Sequence, residues 1–304
     1  MTRGREWPLV AFTLLTQTAV GAFVALGVIR SMLAPRLAAS EVASVIVGPM
    51  AVLEVVFLAG VAASLGHLAR PLGAWRAVRN VGQSWLSLEV VLALGFGVAS
   101  VLFVLAQRSA PVPSLVTGIL GGTAAVSGVG MVGAMSLVYR LPARPAWRHL
   151  VTPVGFFLTA GLVGTALVAE SLAAFAGGMP PVAPDRLPVV GDALQAAVRV
   201  TAALAACELL HIVWHARIWL RANAGSSLPA RLPSRRRWRR ALVGRLALTT
   251  AAAAAACYVA TNRPALPGLD PGAAGPLVAV LLLVTIESWI GRTWFYHDRP
   301  VAGV

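Results

Sequence analysis

The chain has 304 residues, 58% of them hydrophobic, with a mean hydropathy of +0.79. Only 12% are charged, against roughly 25% in ordinary globular chains, yet all 25 basic residues are arginine and the net charge is +14. A soluble fold cannot hide that much apolar surface, which excludes a water-soluble catalytic domain and points to an all-α, polytopic membrane bundle.

Crossing a bilayer takes about 20 predominantly apolar residues per helix, because lipid offers backbone groups no hydrogen-bond partner. Apolar runs bounded by charge, Pro or Gly fall at about 8–31, 42–65, 84–106, 114–138, 151–173, 193–216, 241–260 and 275–293, which predicts eight spans in a single membrane domain covering residues 1–304. The first run follows Arg3 and Arg5 in the manner of a secretion signal, but its apolar core exceeds the 7 to about 15 residues of such a signal. We therefore expect it to be retained. Connections are short apart from 174–192, rich in Gly and Pro, and 217–240, rich in Arg. In the fourth run, Gly118 and Gly122 stand at the spacing of close helix contacts, with Gly128 and Gly130 nearby.

Both cysteines, Cys207 and Cys257, lie inside predicted spans, so a disulfide framework is not implied. Two thiols also fall short of the four ligands that an iron–sulfur cluster usually needs. Any cluster must sit on another polypeptide.

With eight spans both termini share one face, here called side A, together with the second-to-third, fourth-to-fifth and sixth-to-seventh connections. Most arginines collect there, and side B has little beyond Arg30, Arg36, Arg108, Arg186 and Arg263. Cytoplasmic connections carry excess Arg, so side A and both termini are expected in the cytoplasm, with the chain in the plasma membrane; docking of a partner or of anionic lipid is the alternative reading of the same excess. The nine tryptophans also fall on or near side A. Aromatic belts normally mark both interfaces, so this bias suggests a protein-facing or cofactor-facing surface. The run Arg235–Arg240 fits a retention signal or a contact with anionic lipid of the bilayer; no nucleic-acid partner is expected.

Ionisable groups inside the hydrocarbon are costly, which makes them functional candidates. His67 ends the second run at side A, and Glu89 lies about one turn into the third from the same side. Glu208 and His211 lie in the side A half of the sixth, with His215 near its end, and Glu287 lies in the same half of the eighth. Gln17 and Glu54 stand nearer mid-membrane. A quinol has an apolar ring and tail and two hydroxyls whose oxidation releases two protons and two electrons. Its site wants apolar walls, an acceptor for each hydroxyl, and titratable groups leading to water, and a histidine with a buried carboxylate suits that task. The plain structural alternative has His67 capping a helix and Glu89 paired with a loop arginine such as Arg79. Glu208, His211 and His215 share one helix face. Two histidines of one helix cannot supply the opposed axial ligands of a haem, which would need a partner such as His67 or His297, so no haem is expected, and a polar seam along a cavity, or an interface-facing His215, is the favoured reading.

The sequence resembles the DmsC family, membrane anchor subunits of dimethyl sulfoxide reductase and related molybdoenzymes. The matching segments are Glu6 to Gly21 (EWPLVAFTLLTQTAVG), Ser64 to Val90 (SLGHLARPLGAWRAVRNVGQSWLSLEV), Thr152 to Gly164 (TPVGFFLTAGLVG) and Glu287 to His297 (ESWIGRTWFYH). The resemblance implies an eight-helix respiratory anchor that oxidises transiently bound menaquinol. Its electrons would pass to an iron–sulfur subunit that feeds a molybdopterin catalytic subunit. By this match the quinol site holds His67 and Glu89; Gln17, Glu208 and His211, polar groups within the spans, stand beside them as further candidates read from the residues alone. The chain would then be a quinol-oxidising part of an oxidoreductase complex rather than a stand-alone enzyme. A purely structural anchor and a small-solute transporter remain as alternatives, the latter expected to show inverted repeats around a midplane site.

Overall fold

The computed structural model describes residues 7–66, 80–108, 112–139, 149–175, 182–224, 235–262 and 274–297. Among these are eight helices long and apolar enough to cross a membrane: α1 (Trp7–Leu33), α2 (Ala39–Leu65), α3 (Trp85–Arg108), α4 (Ser114–Val138), α5 (Val151–Phe175), α6 (Leu187–Ala224), α7 (Arg235–Asn262) and α8 (Ala274–His297). A short 3-10 turn, Pro184–Arg186, leads into α6.

Helix starts follow from proline chemistry. Pro8, Pro153, Pro188 and Pro276 all stand in the first turn of a helix, where the missing N–H would have no partner in any case. α2 starts differently: Glu41 Oε2 accepts the Ala38 backbone N–H at 2.8 Å and the Arg186 guanidinium at 2.6 Å. That carboxylate both caps the start of the helix and ties the approach to α6 onto the side B face of the bundle.

α1 and α5 are the most enclosed helices. They meet backbone to backbone, because a side chain at Gly21 would collide with the Ala160 carbonyl, and one at Gly164 with the backbone of Gly21 and Ala22. α6 and α8 pack on α5, α7 packs on both of them, and α3 pairs with α4. In α4 the glycines divide: Gly128 meets Phe96 and Val20 and Gly130 meets Leu92, whereas Gly118 and Gly122 face open space. The expected close contact at Gly118 and Gly122 is therefore corrected; the tight seam lies between α1 and α5.

In the Arg-rich stretch at 217–240, expected to be a connection, the described residues 217–224 and 235–240 are helix. α6 runs to Ala224 and α7 begins at Arg235. Arginine is a good helix former, so charge alone does not end a helix. With 38 residues, α6 extends about 57 Å at 1.5 Å per residue, well beyond a hydrocarbon core of about 30 Å. Its side A end stays paired with the start of α7 through Trp219 and Trp238, stacked with ring centroids 4.6 Å apart. Arg217, Arg221, Arg237, Arg239 and Arg240 around that pair are exposed.

Candidate functional site

Two groups of buried polar residues occupy the side A half of the bundle. The first joins α6, α7 and α8. Arg245 on α7 donates from Nη2 to Glu208 Oε1 at 2.9 Å and from Nε to Glu287 Oε1 at 2.7 Å. Glu208 and Glu287 are 4% and 1% exposed, so one guanidinium is shared by, and orients, two carboxyl groups shut away from water. Ser288 Oγ lies 3.3 Å from Glu287 Oε2, whereas Glu208 Oε2 is buried without a hydrogen-bond partner among the described residues.

His211, one turn beyond Glu208, lies with Nδ1 3.2 Å from Glu208 Oε1 and Nε2 3.0 Å from the Val151 carbonyl oxygen on α5. A carbonyl only accepts, so Nε2 carries a hydrogen. Two glycines make this arrangement possible. A Cβ at Gly155 would come within 2.6 Å of the His211 ring, and one at Gly291 within 2.7 Å of the Arg245 guanidinium. The absence of those two side chains gives the imidazole and the guanidinium their beds on α5 and α8.

The second group joins α1, α4, α5 and α8. Arg292 donates from Nη2 to Gln17 Oε1 at 2.7 Å, and Gln17 Nε2 lies 3.1 Å from Met135 Sδ. The Arg292 guanidinium also lies 3.7 Å above the centre of the Phe156 ring, a cation–π contact strengthened by desolvation. Around it stands an aromatic cluster of Tyr139, Phe156, Phe295 and Tyr296, with neighbouring centroids 5.3 to 5.8 Å apart. Tyr296 OH stands 3.5 Å from Thr13 Oγ1. Glu89 on α3 is buried, at 5% exposure, within electrostatic range of both Tyr139 and Tyr296.

Of the site residues expected from sequence, Gln17, Glu89, Glu208 and His211 are all buried. Glu208 and His211 are in direct contact, and Gln17 is joined through Arg292 to the wall of the cavity they line. His67 lies outside the described residues, as does Arg79, the alternative partner of Glu89. Glu54 is half-buried on α2 and belongs to neither group. The polar seam expected along α6 does line a cavity, bounded by Glu208, His211 and His215 with Arg245, Ser288 and Arg292.

Sequence reasoning misses Arg245 and misreads Arg292. The side A excess takes in Arg292 as one more topogenic arginine, yet it is 6% exposed and bonded to Gln17. A signal is present for Arg245, which stands inside an apolar run on the level of Glu208 and Glu287. A charge there asks for a buried partner of opposite sign.

Residues 1–297 match the family described as DMSO reductase anchor subunit (DmsC). The chain belongs to this family. Among curated relatives, it is 32% identical over 169 residues to the YnfH subunit of anaerobic dimethyl sulfoxide reductase from Escherichia coli, covering 56% of this chain and 58% of that one. It is 35% identical over 164 residues to the C subunit of anaerobic dimethyl sulfoxide reductase from the same organism, covering 53% and 56%. The C subunit from Haemophilus influenzae is 27% identical over 162 residues, covering 53% and 57%. The alignments thus span little more than half the length of each relative. DmsC membership and eight spanning-length helices together make this a multi-pass membrane protein of an anchor family.

Proposed function

We propose that the chain is the quinol-oxidising membrane anchor of a respiratory molybdoenzyme, taking electrons from menaquinol and passing them to an iron–sulfur subunit that serves a molybdopterin catalytic subunit. Family membership supports the anchor role, and the observation that carries the redox role is the buried carboxylate of Glu89, within electrostatic range of Tyr139 and Tyr296 at side A. An anchor that only held a partner to the membrane would gain nothing from a desolvated acid, which costs several kcal/mol to bury.

In this reading the quinol ring lies against the aromatic cluster near Glu89, which accepts a hydrogen bond from one hydroxyl and then its proton. His67, at the end of the preceding span, serves the other. Arg292, held by Gln17 and Phe156, fixes the wall of the site from α8. Iron–sulfur and molybdopterin chemistry belongs to the partners, and the Arg surplus on side A sets both termini in the cytoplasm.

The test is quinol oxidation by the assembled complex. Glu89→Gln and His67→Arg should assemble normally yet oxidise a naphthoquinol about 100-fold or more slowly, the usual scale for loss of a general base. An artificial donor that reduces the soluble subunits directly should keep full activity. Normal quinol turnover in both well-assembled variants would return the chain to a structural anchor.

A further inference from the structure

The Glu208–His211 contact contains a chemical constraint. His211 Nε2 donates to the Val151 carbonyl, so in a neutral ring Nδ1 is a bare acceptor. It stands 3.2 Å from Glu208 Oε1, another acceptor unless protonated. Two acceptors repel at that separation. One proton must therefore lie between them, on the imidazole or on the carboxyl. The other carboxyl oxygen, Oε2, is buried without a partner among the described residues, and Glu208 is one of the residues that line a cavity with about 40 Å3 of water-accessible space. At about 10 to 15 Å3 per water that is room for about three or four molecules at most, far below the roughly 300 Å3 of a small-molecule pocket.

We propose that Glu208 and His211 form a proton-holding pair that receives protons released by quinol oxidation through water in this cavity and passes them by way of His215 towards side A. The proposal rests on the quinol reading and assigns Glu208 and His211 to proton exit rather than to ring binding. His215 lines the same cavity, its ring centroid 6.1 Å from that of His211, and it is half-buried where His211 is buried. The three residues thus form a gradient of exposure towards side A.

Breaking the two O–H bonds of one quinol yields the quinone, two electrons for the iron–sulfur partner and two protons. A proton taken up at Glu208 Oε2 releases the one held between Oε1 and Nδ1 to His215 and water, and the proton on Oε2 then passes through water in the cavity to the vacated Oε1–Nδ1 position, which restores the pair. The charged and titratable groups facing Glu208 are His211 and His215 from α6, Arg245 from α7, and Glu287 and Arg292 from α8. α5 contributes Thr152 and Thr159, and α1 reaches the cavity wall through the Gln17–Arg292 bond. Arg245 fixes Oε1 and leaves Oε2 free, which gives the carboxyl one holding face and one receiving face.

The experiment uses the intact complex in liposomes with a short-chain naphthoquinol as donor. Glu208→Gln and His211→Gln should bind the matching naphthoquinone as tightly as the parent protein. Their quinol turnover should fall about 100-fold with an altered pH profile, and Glu208→Asp should recover part of it. Parent-like turnover and pH profile in Glu208→Gln, while the parent complex oxidises naphthoquinol, would overturn the relay and leave the quinol reading standing. A parent complex that neither binds nor oxidises naphthoquinol would overturn the quinol reading. Infrared difference spectra of the complex between two pH values then test the pair by itself: one set of carboxyl and imidazole bands should vanish in either variant, and bands surviving in either would refute a shared proton. Should Glu208→Gln fail to assemble, Gly155→Ala, which crowds the His211 ring, gives the same readouts with the carboxylate in place.

Discussion

Replacing Arg245 by methionine separates electrostatic design from mere packing, because the side chain keeps much of its volume and loses its charge. In the native protein the guanidinium lies 2.9 Å from Glu208 and 2.7 Å from Glu287, with side-chain exposures of 12%, 5% and 2% for the three residues. Removing one partner of a buried ion pair typically costs about 3 to 5 kcal/mol, because the surviving charge has neither water nor counter-ion. Here two carboxyl groups lose that partner at once, Glu208 keeping only its contact with His211 and Glu287 only Ser288. At about 2 °C per kcal/mol for a large chain, the variant should unfold at least about 6 °C lower in mild detergent. Adding Glu208→Gln and Glu287→Gln removes the two acids, and the triple variant should recover most of that loss. Thermal unfolding of single and triple variants in one detergent decides the matter. A single variant as stable as the parent, or a triple variant less stable than the single, would refute the view that Arg245 is the shared counter-ion of the two acids.

Other expectations follow the same logic. Gln17→Leu strips the Arg292 guanidinium of its 2.7 Å acceptor and should cost about 1 to 3 kcal/mol, seen as lowered thermal stability, while Phe156→Leu, which removes the cation–π partner together with the ring contacts to Tyr139 and Phe295, should cost about 2 to 3 kcal/mol. Gly291→Ala should displace the Arg245 guanidinium and mimic Arg245→Met in direction with smaller size, whereas Gly118→Ala, facing open space, should be neutral in the same assay. A cysteine at Ser227 in a cysteine-free background should resist an impermeant thiol reagent in intact cells and react after lysis; labelling in intact cells would contradict a cytoplasmic side A.

The spans are legible in the sequence because lipid imposes one requirement on all of them, and Gly118 and Gly130 alike satisfy it. What is not legible is which neighbour each face meets. Gly118 and Gly122 have the spacing of a contact motif but face open space, while Gly21 and Gly164 meet backbone to backbone with only the looser small-residue form of that spacing, Gly21 with Ala25 and Ala160 with Gly164. The ends of α6 and α7 are underestimated because an arginine stops a hydrophobic run without stopping a helix. Within the site, Glu208 and His211 are legible as charged or titratable groups in apolar sequence. Arg245 and Arg292 are harder to separate from the many arginines that face water, since a sequence does not state which side of a helix end turns inward.

The central claim is that electrons enter the complex through this chain. It is tested most directly by adding a reduced naphthoquinol to membranes holding the complete complex, or the soluble subunits without this chain, and following reduction of the iron–sulfur clusters by electron paramagnetic resonance. Quinol should reduce the clusters only when the chain is present, while a strong chemical reductant reduces them in both. Equal reduction by quinol without the chain, or none in the complete complex whose clusters still respond to the chemical reductant, would contradict the account.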